Sequence, residues 1–186
     1  EMGCSSLEEM RKLPAEKMTV DEGMMNGRPF LPIQDGVAFS EGFLEAFESG
    51  RSHDVDIMMG NTIDERSVRS GRLLMDDVEV VGKIREKLGR KGIFAYCFGR
   101  RWPGPDNPGA IHGAEHWYQF ETLYRCWRPF TGVDFELSVA MCDYYANFVK
   151  NGDPNGEGMP LWERYCSEEP RCMLLGEERK ILSVLR

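Results

Sequence analysis

A chain of 186 residues can bury roughly 70% of its unfolded surface in one core, so a peptide hormone or a disulfide-stapled knot is excluded. Hydrophobic residues at 41% and charged residues at 29% sit near globular averages and exclude wholesale disorder. The formal charge of −8, from 23 basic against 31 acidic side chains, repels a phosphate backbone and offers no polybasic face to an anionic membrane.

The first residues, Glu1 to Ser5, lack the basic and apolar regions of a signal peptide. No apolar run approaches the roughly 20 residues of a membrane-spanning helix. These features leave the compartment unknown, with the cytoplasm favoured, and leave oligomeric state open, a homo-oligomer included. Cys4, Cys97, Cys126, Cys142, Cys166 and Cys172 contain no C-x-x-C pair, so reduced and mostly buried thiols are expected.

Ser5 and Glu8 read as a capping box opening a helix over Leu7 to Leu13, which Pro14 ends. Gly23 to Gly36, with Gly27, Pro29, Pro32 and Asp35-Gly36, is a turn-rich connection suited to lining a cleft. Ser40 is placed to cap Phe43 to Phe47, with Gly50 as the stop. Val55, Ile57 and Met59 alternate with Asp54, Asp56 and Met58 and predict a strand, wholly apolar at its end, that runs into a loop at Gly60. Leu74, Val78, Val81, Ile84 and Leu88 recur at three- and four-residue steps and predict an amphipathic helix ending near Gly89 to Gly92. Ile93 to Phe98 is continuous, aromatic and short, as in a strand covered on both faces. Strand, helix, strand in that order is a parallel α/β unit.

Trp102 to Gly109, with three prolines and two glycines, is a loop. Trp117, Phe120, Leu123, Tyr124 and Trp127 predict a helix with an aromatic face, ending before Pro129. Thr131 and Asp134 open a further helix with the buried stripe Leu137, Met141, Tyr144 or Tyr145, and Phe148, closed at Asn151-Gly152. Cys172 to Leu175 and Lys180 to Leu185 are candidate strands. The count is three to four mostly parallel strands flanked by helices, in an α/β fold whose earlier strands are absent. A parallel sheet with an incomplete strand set has an unpaired edge, so residues 1–186 read as a portion of one domain. Helices and the cleft-lining loop lie in 1–52, and the strands with their loops in 53–186.

Two places draw chemistry. Asp64-Glu65 follows the first strand, where ligands and catalytic groups gather in open α/β sheets. His112 follows the second. An acid after one strand and a histidine after the next reproduce the last two members of the order Ser, Asp or Glu, His. The acid would hold the imidazole in one tautomer while the imidazole takes a proton from a serine hydroxyl.

Gly60 to Glu65, Gly109 to Glu115 and Asn147 to Asn155 resemble, in order, the C-terminal motifs of type-B carboxylesterases, the cholinesterase-like family with an α/β-hydrolase fold. Phe30 to Gly36 resembles the same family's P-x-x-DG segment, and Tyr96 to Pro103 the strand and turn before its histidine loop. The resemblance implies a carboxylic ester hydrolase acting on a small-molecule ester through an acyl-enzyme. In it Glu65 is the triad acid, His112 the base and Glu115 a supporting acid. Trp117 and Phe120 would wall the substrate pocket. No cofactor, metal or nucleic acid is implied. The chain departs from the family in having no Gly-x-Ser-x-Gly and no glycine-rich oxyanion segment. The segment between Glu65 and Ile93 is also shorter than is usual there. The simplest account is a C-terminal part of an esterase whose N-terminal part, with the serine, is missing or separate, so that the 186 residues alone are inactive.

Two rivals are weighed against this reading. His112-Gly113-Ala114-Glu115-His116 spells H-x-x-E-H, a zinc peptidase signature to which Glu177 or Glu178 would add a ligand. However, Gly113 weakens the helix that signature needs by about 1 kcal/mol relative to Ala. The second rival is a non-catalytic cholinesterase-like adhesion module, against which the presence of both Glu65 and His112 argues.

Overall fold

The structure, a computed structural model, describes residues 3–18, 33–65 and 75–183. The turn-rich segment up to Pro32, the expected helix start at Leu74 and the expected strand residues Val184 and Leu185 lie outside them. The chain divides into two units, Glu1–Ser40 and Glu41–Arg186.

In the first unit, helix α1 (Leu7–Arg11) and helix α2 (Ala15–Met18) flank Pro14. The expected helix to Leu13 is shorter, and its cap is displaced by one residue. Ser6 is the cap and its Oγ accepts from the Glu9 amide at 3.2 Å, while Ser5 donates from its amide and hydroxyl to the Glu9 carboxylate at 2.8 and 2.9 Å. Glu8 instead pairs with Lys12 one turn on, at 3.1 Å.

The second unit begins with helix α3 (Phe43–Glu48). Gly42 and not Ser40 is its N-cap, because the first helical amide bond runs from Ala46 to the Gly42 carbonyl at 2.9 Å. Four strands follow in spatial order β1 (Met58–Thr62), β2 (Phe94–Phe98), β3 (Arg171–Leu175) and β4 (Lys180–Ser183). The first three are parallel and the last antiparallel. Helix α4 (Met75–Lys87) links β1 to β2. Three parallel strands with helix α4 between the first two form the parallel α/β unit expected from the strand, helix, strand pattern.

β1 starts later and runs further than its alternation predicts. The Val55 carbonyl accepts from the buried Arg85 guanidinium at 3.0 Å and is withdrawn from the ladder. At the other end Gly60 continues the strand because the Tyr96 ring lies against it: a Cβ there would come within 2.5 Å of Tyr96 Cγ. A glycine in a strand can thus mark a close approach and not a stop.

Both faces of β2 are covered, as its continuous apolar run requires. Phe94 and Phe98 belong to one cluster with Tyr118, Leu137, Met141, Tyr144, Trp162 and Met173. Ala95 faces the other, with Val78, Val81, Ile93, Tyr165 and Cys172. The Trp162 indole also donates to the Ala95 carbonyl at 2.9 Å, which satisfies the polar atom of a buried ring.

The aromatic segment is not one helix. Helix α5 spans only His116–Gln119, Glu121 takes φ 49°, and a 3₁₀ turn follows at Leu123–Arg125. Tyr118 and Leu123 turn into the core, whereas Phe120, Tyr124 and Trp127 are exposed. Helix α6 (Gly132–Asn151) carries the expected stripe, with Leu137, Met141 and Tyr144 buried and Tyr145 and Phe148 packed beside them.

No disulfide joins the described cysteines, but only Cys172 is buried and Cys166 is exposed. Burial pushes the Cys97 thiol up to about 12 and that of Cys172 to about 11, so both stay protonated. Among the described residues no helix is long and apolar enough to cross a membrane.

Candidate active site

Two loops leave adjacent parallel strands at the same carboxyl end, since Thr62 of β1 lies opposite Phe98 of β2. The first is a tight turn: the Glu65 amide returns to the Thr62 carbonyl at 3.2 Å, and the Thr62 amide donates to Glu65 Oε2 at 3.2 Å. That second bond fixes one carboxylate oxygen and leaves Oε1 to face outward. His112 Nδ1 is hydrogen-bonded to Glu65 Oε1. The carboxylate side chain is 10% exposed and the imidazole 87% exposed, so the ring is anchored on one nitrogen with its other edge open.

The second loop reaches this position through Asp64, which the sequence shows only as the neighbour of Glu65. Asp64 Oδ2 accepts the Ala110 amide at 2.9 Å, and the Asp64 amide donates to the Ala110 carbonyl at 3.3 Å. Arg101 donates to Asp64 Oδ1 at 3.3 Å from the base of the same loop. Gly109 makes this latch possible. It has φ 82°, and a Cβ on it would lie 2.5 Å from Asp64 Oδ2. Asp64→Ala therefore removes the acceptor of a partly buried amide, at a cost of about 1–3 kcal/mol. The Ala110 amide is then expected to exchange with solvent at least about tenfold faster, measured by hydrogen exchange; an unchanged rate would mean that the latch does not hold the loop.

The described residues contain no group of three or more His, Cys, Asp or Glu side chains placed to hold a metal ion. The helix that the H-x-x-E-H signature needs does not form around His112. Gly113 takes φ 77° and α5 begins only at His116, so His112 lies outside the helix that would have to align the two rings.

The family model described as "Carboxylesterase family" matches residues 73–185. The chain belongs to the carboxylesterase family. Among curated relatives it is 39% identical over 66 residues to the cocaine esterase of Homo sapiens, a stretch covering 35% of this chain and 12% of that protein. It is 33% identical over 81 residues to carboxylesterase 4A of Bos taurus, covering 41% and 14%. The solved structure of a PNB esterase superposes with a TM-score of 0.69 at 16% identity, over 96% of this chain and 48% of that one, a likeness of fold. The matched stretches span only 12% and 14% of these curated relatives' own length.

In this carboxylesterase chain the remaining site candidates divide. Glu115 caps α5 without a side-chain bond to it, and its Oε2 is buried with no hydrogen-bond partner. Its charge and that of Glu65 reach Tyr96, whose hydroxyl pKa is raised first by burial and then by these carboxylates. Tyr145, hydrogen-bonded to Tyr96, is raised first by burial, then by Tyr96 and last by the Glu115 charge. A layer of protonated phenols thus lies near Glu115, and no local pattern in the sequence marks it. Trp117 packs on the core beside α6, while Phe120 is 66% exposed at the end of α5.

Proposed function

We propose that this chain supplies the acid and the base of a serine carboxylesterase, Glu65 and His112, with the nucleophilic serine and the oxyanion donors contributed from outside these 186 residues. The observation that carries the reading is the hydrogen bond from His112 Nδ1 to Glu65 Oε1. With a proton held on Nδ1 by the carboxylate, Nε2 keeps a lone pair and accepts the proton of a serine hydroxyl as its oxygen attacks the ester carbonyl. The imidazolium so formed is stabilised by Glu65, which stays ionised. The same Nε2 proton then passes to the departing alcohol, leaving an acyl-serine that water cleaves by the reverse relay. The substrate class is a small carboxylic ester, consistent with family membership.

The test is hydrolysis of a p-nitrophenyl ester by the 186-residue chain alone and by the same chain joined to, or mixed with, a segment bearing Gly-x-Ser-x-Gly. The chain alone is expected to be inert, because a missing oxyanion donor alone costs about 3–4 kcal/mol of barrier and here the nucleophile is missing too. Hydrolysis is expected once the serine is supplied. Equal rates in both samples would place the chemistry elsewhere, and no hydrolysis in either would favour the adhesion-module reading.

A further inference from the structure

The turn that carries His112 has buried ends and an exposed tip: Ala110 and Ala114 have no exposed surface, whereas Ile111 and His112 face outward. The Ala114 amide closes the turn on the Ile111 carbonyl at 3.0 Å, with Gly113 in the left-handed region. The Asp64 latch holds the first end at Ala110. Trp102 holds the second, since its indole Nε1 donates to the Ala114 carbonyl at 3.0 Å while the ring packs on the core. Swinging the tip about either end therefore breaks a hydrogen bond.

The Trp102 ring is itself braced from outside the loop. Arg128, beyond the 3₁₀ turn of the aromatic segment, places its guanidinium 4.8 Å from the Trp102 ring centroid and 4.7 Å from that of Trp127. Its side chain is only 8% exposed. Nη1 donates to the Pro103 carbonyl at 3.0 Å and to Asp106 Oδ1 at 2.9 Å, and Nη2 donates to Asp106 Oδ2 at 2.8 Å. The Pro/Gly-rich loop bends around this group: a Cβ on Gly104, at φ 144°, would lie 2.8 Å from Arg128 Nη1. A planar cation stacked on indole rings and forked onto a carboxylate is an arrangement that Lys does not reproduce.

We infer that Trp102 and Arg128 are positioning residues for His112. Arg128 orients Trp102, Trp102 pins the Ala114 end of the turn, and the imidazole thereby keeps Nδ1 on Glu65 and leaves Nε2 open. Both act through the loop and take no proton. The inference rests on the proposed role of His112 as base, because a base displaced by about 1 Å loses roughly a hundredfold in rate.

The experiment uses three variants. Trp102→Phe keeps a ring beside Arg128 and deletes the indole donor, so it carries the test by itself. Arg128→Lys keeps the charge and deletes the fork and the stack. Val81→Ala, a truncation in the other core cluster, controls for lost stability. Imidazole 15N shifts of the 186-residue chain, taken at about pH 8 where an ordinary imidazole is neutral, report which nitrogen carries the proton. The Nδ1–H form is expected to dominate in the unaltered chain and in Val81→Ala, and to give way to an exchanging mixture in Trp102→Phe and Arg128→Lys. In the protein that joins this chain to a nucleophilic serine, both of these variants are expected to lower kcat for a p-nitrophenyl ester at least about tenfold with KM within about twofold, and Val81→Ala to keep kcat within about twofold. An unchanged imidazole or an unchanged kcat in Trp102→Phe would overturn the positioning, as would an equal loss of kcat in Val81→Ala. No hydrolysis by the joined protein, or full activity in His112→Ala, would instead overturn the base role on which the inference rests. The imidazole shifts, read on the chain alone, tell the two failures apart.

Discussion

In a protein that joins this chain to a nucleophilic serine, His112→Ala is expected to lower kcat for ester hydrolysis by roughly a millionfold, and Glu65→Gln by roughly ten-thousandfold. The difference follows from the two roles. Removing the imidazole takes away the only group in the Glu65–His112 pair that accepts a proton. Removing the carboxylate's charge leaves the base in place but no longer holds its Nδ1 protonated, and the imidazolium loses its counter-charge. The geometry gives Glu65 a further duty, since Oε2 also accepts the Thr62 amide at 3.2 Å; Gln can retain only one of the two bonds through its single acceptor oxygen. Steady-state rates with a p-nitrophenyl ester measure both effects. Full activity in His112→Ala would remove His112 from the mechanism.

The largest effect on stability is expected at Asp134. It has no exposed surface, yet it accepts Arg100 Nε at 2.6 Å, Arg100 Nη2 at 3.1 Å, the Tyr118 hydroxyl at 2.8 Å and the Thr131 amide at 2.8 Å. Burial raises its pKa, but the Arg100, Thr131 and Tyr118 donors outweigh burial and hold the carboxyl below its ordinary 3.8. Breaking such a buried pair by removing one partner costs about 3–5 kcal/mol. Asp134→Ala should therefore lower Tm by roughly 10 °C or more. Because the folded-state pKa lies below the unfolded value, the contribution is fully present above about pH 4 and is lost as the pH falls through the lowered pKa. Thermal unfolding followed by circular dichroism at pH 7 and near pH 3 checks both statements. A loss below about 1 kcal/mol at pH 7 would show that the network is not a stabilising unit.

What could be read in the sequence is what depends on neighbours along the chain. The stripe Leu137, Met141, Tyr144 announces α6 because a helix repeats within itself, and the run Phe94 to Phe98 announces a covered strand. The loops bearing Glu65 and His112 follow from where the two strands end. What escaped the sequence depends on residues far apart. The Asp64 latch needs Ala110 and Arg101, and Asp134 reads as a capping residue until Arg100 and Tyr118 come to meet it. The aromatic segment misled because its spacing suits a helix, whereas Phe120 and Glu121 turn the backbone so that Tyr118 and Leu123 reach the core from two short pieces.

The pairing of β2 with β3 also has a bearing on how the chain acquires its shape. Cys97 lies opposite Leu174, so the histidine loop, α5 and all of α6 are enclosed within one long closure, whereas the connection between β1 and β2, which carries α4, is much shorter. Closing the longer loop costs more chain entropy, and contacts of wide sequence separation form slowly. During synthesis the acid-bearing strand can find its neighbour early. The histidine loop is enclosed only when Arg171–Leu175 arrives, well after β1 and β2 have been made.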